Sequence, residues 1–387
     1  MSKLEECILG DLVEFQRGYD LPKSKFVEGK YPVQSSNGIL GYHNEYKVEG
    51  PGITIGRSGT VGTPHLIREN FFPHNTSLFV KEFKGNDIEY IYYLLQYLDL
   101  GNQKSGSGVP TMNRNHLHPI KIRAYRDKTY QQRTIKILSL IDKKIQINNQ
   151  INQELEAMAK TLYDYWFVQF DFPDQNGNPY KSSGGKMVYH PELKREIPER
   201  WGVEKLGDIS QYVSEKVGSS ELNKENYVGT DNMIADMGGI ELTTSIPKSG
   251  TSTKFSVGDI LISNIRPYFK KIWLSDRTGG CSADVLCIRT NRIIYKEFVY
   301  ATLARDDFFN YDVAGSKGSK MPRGDKKHIM EYPIVFEFEI ADQFSKIVRP
   351  IYEAVHKNYN QNQELTQLRD WLLPMLMNGQ ARVEDKT

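Results

Sequence analysis

The strongest constraint in this chain is a pattern that occurs twice. Along 130–167, Leu138, Ile141, Ile145, Asn148, Asn152, Leu155, Ala159 and Leu162 follow alternating steps of three and four, the period at which one face of a helix meets a partner helix. Along 341–377 the corresponding positions are Val348, Ile351, Val355, Asn358, Asn362, Leu365, Arg369 and Leu372, all at one offset. The words match too, QELEAM in the first stretch and QELTQL in the second. Two long amphipathic helices are predicted, each on the order of 50 Å at 1.5 Å per residue. An asparagine inside an apolar seam costs stability but fixes register, because a shifted pairing would bury its amide against hydrocarbon. Two positions break the match. Arg369 stands where the first helix has Ala159, and is expected to splay the end of the pair or expose a charge. Pro350 stands where the first has Leu140, and is expected to kink the second helix or mark its effective start.

A duplicated helix implies a duplicated chain, and 387 residues suffice for two domains with separate cores. The first half opens with LGD at 9–11 and breaks into short apolar runs between glycine-rich turns, with strands predicted at 31–33, 52–55, 78–80 and 120–122 and a helix at 87–97. The second half opens with LGD at 206–208; its strands are predicted at 227–228, 260–262, 272–274 and 285–289, with a helix from 296 to 303 or beyond. Between them, 170–200 is rich in Pro, Gly and polar residues without apolar periodicity, and reads as a linker. The expected organisation is α+β: a mixed globule over 1–128, a long helix over 129–169, the linker over 170–200, a second mixed globule over 201–340 and a second long helix over 341–380.

Hydrophobic residues make up 39% and charged residues 25% of the chain, and no apolar run approaches membrane-spanning length. The first ten residues resemble neither a secretory signal nor a targeting helix, so a cytoplasmic protein is expected. Cys7, Cys281 and Cys287 are odd in number and lack zinc-ligand spacing, which favours reduced thiols over disulfides or a metal site.

Catalytic signatures are missing. GSKGSK at 315–320 has the wrong spacing for a phosphate-binding loop, no dinucleotide fingerprint, nucleophile elbow or H-E-x-x-H occurs, and GNPY at 177–180 lacks the second proline of an amino-methyltransferase box. His43, His65, His74, His116 and His118 show no ligand spacing, the last two sharing one strand face at most. Neither catalytic residues nor metal ligands are assigned.

The charged loops point to recognition. Net charge is only +2, but 101–126 carries Lys104, Arg114, Lys121, Arg123 and Arg126 without a carboxylate, and 313–327 carries Lys317, Lys320, Arg323, Lys326 and Lys327 against Asp325 alone. Reading base edges requires Arg, Asn, Gln or Lys on loops, flanked by phosphate contacts from cations, hydroxyls and backbone amides. Four loops meet that need: Gln34, Ser35 and Asn37; Arg57 and Ser58; Asn113 and Arg114; and Asn264 and Arg266 with Lys270, Lys271, Lys320 and Arg323. The bland alternative for each is a solvated polar turn. A basic Gly/Ser loop ahead of each long helix favours a DNA reader over a coiled-coil protein scaffold or a self-sufficient DNA-modifying enzyme.

The LGD of each half, YPVQSSNGILGY and IGRSGTVG in the first, the stretch FPDQNGNPYKSSGGKMVYHPELKREIPERWGVEKLGD and the ending QELTQLRDWLLPMLMNGQARV together resemble the specificity (S) subunit of type I restriction-modification systems, over essentially the whole chain. The resemblance implies two target-recognition domains, each reading half of a bipartite DNA sequence, and two long helices paired as an antiparallel coiled coil that sets the gap and docks two modification subunits. It implies a non-catalytic subunit of an adenine-methyltransferase and endonuclease complex, with no cofactor in this chain. S-adenosylmethionine would be bound by the modification subunits, and ATP and Mg by restriction subunits where these are present. In an antiparallel pair with pseudo-twofold symmetry, Asn148, Asn152, Asn358 and Asn362 are expected near the middle of the contact, bonding to one another.

Overall fold

A computed structural model describes residues 4–102 and 112–381. By contact the chain divides into two compact units, Met1–Ile147 with Glu364–Thr387, and Asn148–Gln363. The long helices, expected from the sequence over 129–169 and 341–380, are divided between these units. Each unit contains part of both.

In the first unit a four-stranded sheet runs in the order Glu14–Arg17, Ser77–Glu82, Gly52–Gly56, Pro64–Ile67, and a second sheet in the order Gly38–His43, Tyr31–Ser35, Phe72–Pro73. In the second unit the four-stranded sheet is Ser210–Tyr212, Val285–Thr290, Ile260–Ser263, Ile272–Leu274. The strand order is the same, so duplication extends to topology. Alternation drives the packing: Phe15, Ile53, Ile55, Leu78 and Val80 are buried against the helix Ile88–Leu98, whose Tyr90, Ile91, Leu94 and Leu95 face them. That helix starts where Asp87 accepts the Tyr90 N–H at 3.1 Å.

The repeated LGD has a structural reason. Asp11 accepts the Ile8 N–H at 3.0 Å and Asp208 accepts the Lys205 N–H at 3.0 Å, closing the same tight turn in each unit. The glycine between is closely packed: a Cβ on Gly10 would lie 3.0 Å from the His118 Cβ, and one on Gly207 3.2 Å from the Met330 carbonyl oxygen, so a larger residue would need these neighbours to shift by a few tenths of an ångström. The strand before each turn pairs antiparallel with the strand before the long helix, Glu5–Ile8 with Lys121–Ala124 and Gly202–Lys205 with Pro333–Phe336. Each globule is thus fastened where its chain enters and leaves. His116 and His118 do not share a strand face; they lie on and just after the short helix Arg114–Leu117, and the His118 ring nitrogen accepts the Phe15 N–H at 3.0 Å.

The stretch 170–200 is not a loose linker. It contains a hairpin, Met187–His190 with Arg195–Pro198, and buries Phe170, Phe172 and Ile197 with Trp201 in the core of the second unit. Asp171 holds the turn by accepting the Ser182 N–H at 2.7 Å and hydroxyl at 2.6 Å. Its apolar residues are spaced irregularly because turns, not a regular element, deliver each of them to the core.

The long helices run Lys128–Tyr163, 36 residues, and Phe338–Met377, 40 residues; a wide turn, Asp164–Val168, ends the first. Pro350 does not mark a start, since the second helix begins twelve residues earlier. Pro350 and Lys346, whose carbonyl loses its donor, both lie on the exposed side, where water can satisfy it. Arg369 does not expose a free charge either. Within the first unit it bonds Asp142 at 3.0 Å, and Asp142 also accepts the Tyr93 hydroxyl at 2.6 Å. Within the second unit the asparagines meet: Asn148 Nδ2 donates to Asn362 Oδ1 and Asn358 Nδ2 to Asn152 Oδ1, each at 2.8 Å. Partner numbers fall on one helix as they rise on the other, so the pair is antiparallel. The two bonds exchange under a pseudo-twofold that maps Asn148 to Asn358 and Asn152 to Asn362. Among the described residues, no helix is long and apolar enough to cross a membrane.

Candidate nucleic-acid interface

In the first unit the strand Gly52–Gly56 delivers Arg57 to a junction of loops. Its N–H donates to the Thr76 carbonyl and its carbonyl accepts the Met112 N–H, both at 2.8 Å. The Asn37 side chain accepts the Thr60 N–H at 3.3 Å, which ties the turn at 57–60 to the one at 34–37. Beside this junction lies an open concavity of about 600 Å³ into which Arg17, Arg57 and Arg114 project. Its one lining carboxylate, Asp20, is held below the usual carboxylate range by hydrogen bonds from the Asn75 amide and by Arg17 at 2.8 Å. A concave surface with three guanidinium groups and one neutralised acid suits a polyanion.

The second unit builds the same junction. The strand Ile260–Ser263 leads to Arg266, whose N–H donates to the Pro322 carbonyl at 2.8 Å. Ile265 and Lys317 both bridge Arg323 through the backbone, and the Gly324 N–H reaches the Asn264 carbonyl at 3.2 Å. In both units, then, an arginine leaving a central strand is tied to the loop that precedes the short helix before the long one. Lys320 is exposed on that loop, and Arg323 meets Asp284 at 3.1 Å with both side chains largely in water, a pair that competing phosphate can open.

Several expected reader residues serve the loops instead. Gln34 is 4% exposed and donates to the Ser35 carbonyl, while the Ser35 hydroxyl donates to the Gly38 carbonyl at 2.8 Å. Asn264 is buried. Lys270 is held by Asp306 at 2.6 Å and Lys271 by the Thr230 carbonyl at 2.7 Å. The Asn113 side chain caps the short helix Arg114–Leu117 by accepting the Asn115 N–H at 3.0 Å. Exposed or half-exposed positions remaining from the sequence set are Asn37, Arg57, Ser58, Arg114, Arg266, Lys320 and Arg323. Lys104 lies outside the described residues.

Sequence reasoning missed Arg17, which joins the cleft from a neighbouring strand, and Asp312. The Asp312 carboxylate is fully buried, and neither oxygen has a hydrogen-bond partner among the described residues. Burial raises its pKa to about 6. Gly324 packs directly on it, since a Cβ there would stand 2.3 Å from Asp312 Oδ1 and 2.9 Å from Asn264 Oδ1. No sequence signal marks this contact, because 312 and 324 come together only through the loop geometry.

A repeated α+β unit that presents an arginine-centred loop junction in both copies defines a tandem recognition protein. Known proteins resemble it in sequence and in fold. Residues 1–157 match the model of the type I restriction modification DNA specificity domain. The chain is 26% identical over 320 residues to the MjaIX specificity subunit of Methanocaldococcus jannaschii, covering 77% of this chain and 70% of that one. It is 24% identical over 314 residues to the HindI specificity subunit of Haemophilus influenzae, covering 66% and 68%. In fold it is similar to the S subunit of a type I restriction-modification system from M. genitalium, with a TM-score of 0.58 at 15% identity, covering 100% and 97%. Residues 1–157 thus match a type I restriction modification DNA specificity domain, and over most of its length the chain is similar to type I specificity subunits.

Proposed function

We propose that each unit reads one half of a bipartite DNA target, and that the long helices set the gap between the halves and dock two modification subunits. The observation that carries this reading is the arginine-centred junction built twice, around Arg57 and around Arg266. Docking is supported by apolar side chains that the first long helix keeps outside its seam: Ile137, Leu140 and Ile147 in the first unit, Ile151 and Met158 in the second, each at least 40% exposed. The chain itself carries no cofactor. The modification subunits would bring S-adenosylmethionine and transfer a methyl group to adenine, and restriction subunits, where present, would bring ATP and Mg. The complex would work on DNA in the cytoplasm.

The test is to map modified adenines in cells that express this chain with its modification partner. A two-part motif with a fixed gap is expected. A contiguous motif, or a map that does not change when this chain is replaced by a relative, would refute the reading. Salt-dependent, sequence-selective binding to duplex DNA separates a reader from a pure protein scaffold.

A further inference from the structure

The turn that follows Arg266 holds two aromatic rings in water. Tyr268 is 49% and Phe269 39% exposed, with ring centroids 4.8 Å apart and planes tilted by 57°. They sit on the single turn Pro267–Phe269, bracketed by Arg266 at φ 52° and Lys270 at φ 50°, both in the left-handed region that disfavours residues with a Cβ. Such a conformation persists only where neighbours over-determine it. Here they do. The Arg266 N–H bonds the Pro322 carbonyl, the Asp236 N–H the Phe269 carbonyl at 2.9 Å, and the Met237 N–H the Lys270 carbonyl at 2.9 Å. Lys270 and Lys271 are tied to Asp306 and to the Thr230 carbonyl. A strained, fully anchored backbone thus presents an apolar tip instead of burying it.

The surroundings indicate what covers that tip. Arg266 is its immediate neighbour, and the loop bonded to Arg266 carries exposed Lys320 and Arg323. Cations around paired aromatic rings suit a polyanion that also offers flat apolar faces, which is the chemistry of nucleic-acid bases on a phosphate backbone. The corresponding turn of the first unit lacks this feature. After its central strand the turn reads Arg57, Ser58, Gly59 and Thr60, with Gly59 supplying the positive φ, and carries no aromatic residue.

We propose that Tyr268 and Phe269 form a wedge that enters the base stack of the half-site read by the second unit, opening one base step there and none in the other half. The proposal rests on the DNA-reading function above. Once the target is mapped, the full chain with its modification subunits is mixed with duplexes carrying 2-aminopurine at successive positions of each half. Setting aside the adenine of each half that a modification subunit would extrude for methylation, wild-type protein should raise the fluorescence at one step, in one half only. The double variant Tyr268→Ala/Phe269→Ala should abolish the rise and weaken target binding roughly tenfold, with an unchanged salt slope. Because both rings are exposed, its melting temperature should match the wild type. Sequence-selective binding without any rise, or a rise that survives in the double variant, would overturn the wedge alone. So would a double variant that binds DNA normally but no longer associates with the modification subunits, which would make the rings a protein contact. Wild-type protein without sequence-selective binding would overturn the DNA reading, and the wedge with it.

Discussion

Replacing Asn362 with alanine should weaken the second unit by about 2 kcal/mol, through a buried amide left short of a partner. Asn362 makes two bonds: its Oδ1 accepts Asn148 Nδ2 and its Nδ2 donates to Asn149 Oδ1, both at 2.8 Å. Asn148 is fully buried and its own Oδ1 already lacks a partner among the described residues. After truncation only Gln361 Oε1, at 2.8 Å, remains for its amide hydrogens. Removing one member of a buried polar pair costs the desolvation of the other, about 1 to 3 kcal/mol, whereas replacing both by hydrocarbon leaves nothing unsatisfied. The double variant Asn148→Leu/Asn362→Leu should therefore lie within about 1 kcal/mol of the wild type, or above it, while losing the penalty against shifted pairings. Urea unfolding of the full chain, followed by helical circular dichroism, measures both. An Asn362→Ala cost below about 0.5 kcal/mol, or a double-leucine variant weaker than the single alanine, would refute the claim that these amides select register.

Other consequences can be measured on the same protein. Burial raises Asp312 to about 6, so the folded state holds its proton more tightly than the unfolded chain. The contribution of this group to stability is complete below about pH 4 and is lost as pH rises through about 6, leaving a cost of about 3 kcal/mol above that. Asp312→Asn should accordingly raise the melting temperature at pH 8 and change it little at pH 4; equal shifts at both would argue against a buried carboxylate as the cause. Arg57→Ala or Arg266→Ala should each relax one half of the mapped motif, costing about 1 to 3 kcal/mol where the arginine reads a base. A uniform loss across all sequences would assign that arginine to phosphate. Deleting one heptad from 148–155 and its counterpart in the second helix should change the gap and leave both half-sites intact, as read by methylation mapping; an unchanged gap would show that the helices do not set it.

Much of the fold was legible because duplication made each half a check on the other. The strand at 227–228 and the helix at 296–303 have the predicted bounds, since alternation and helical periodicity act locally. The stretch 170–200 was misread for the converse reason. Phe170, Phe172 and Ile197 become core residues only because a turn and a hairpin carry them there, and irregular spacing leaves no periodic trace. Pro350 was expected to kink the second helix or mark its start, and the start lies instead at Phe338, because the proline's penalty depends on whether the orphaned carbonyl faces water.

By itself the sequence determined a tandem α+β chain with two seam-bearing helices, and it placed the asparagines that choose their register. Those features follow from spacing along one chain, where the helical period fixes which residues share a face. Only the tertiary structure decided which polar loop residues turn outward. Gln34 and Asn264 were as plausible readers as Arg57 and Arg266, yet the first two are buried within their loops and the arginines sit at the junctions. Whether a loop side chain faces solvent depends on the backbone bonds its neighbours make across the fold, and these join residues such as Arg57 with Met112 or Arg266 with Pro322 that local pattern does not connect.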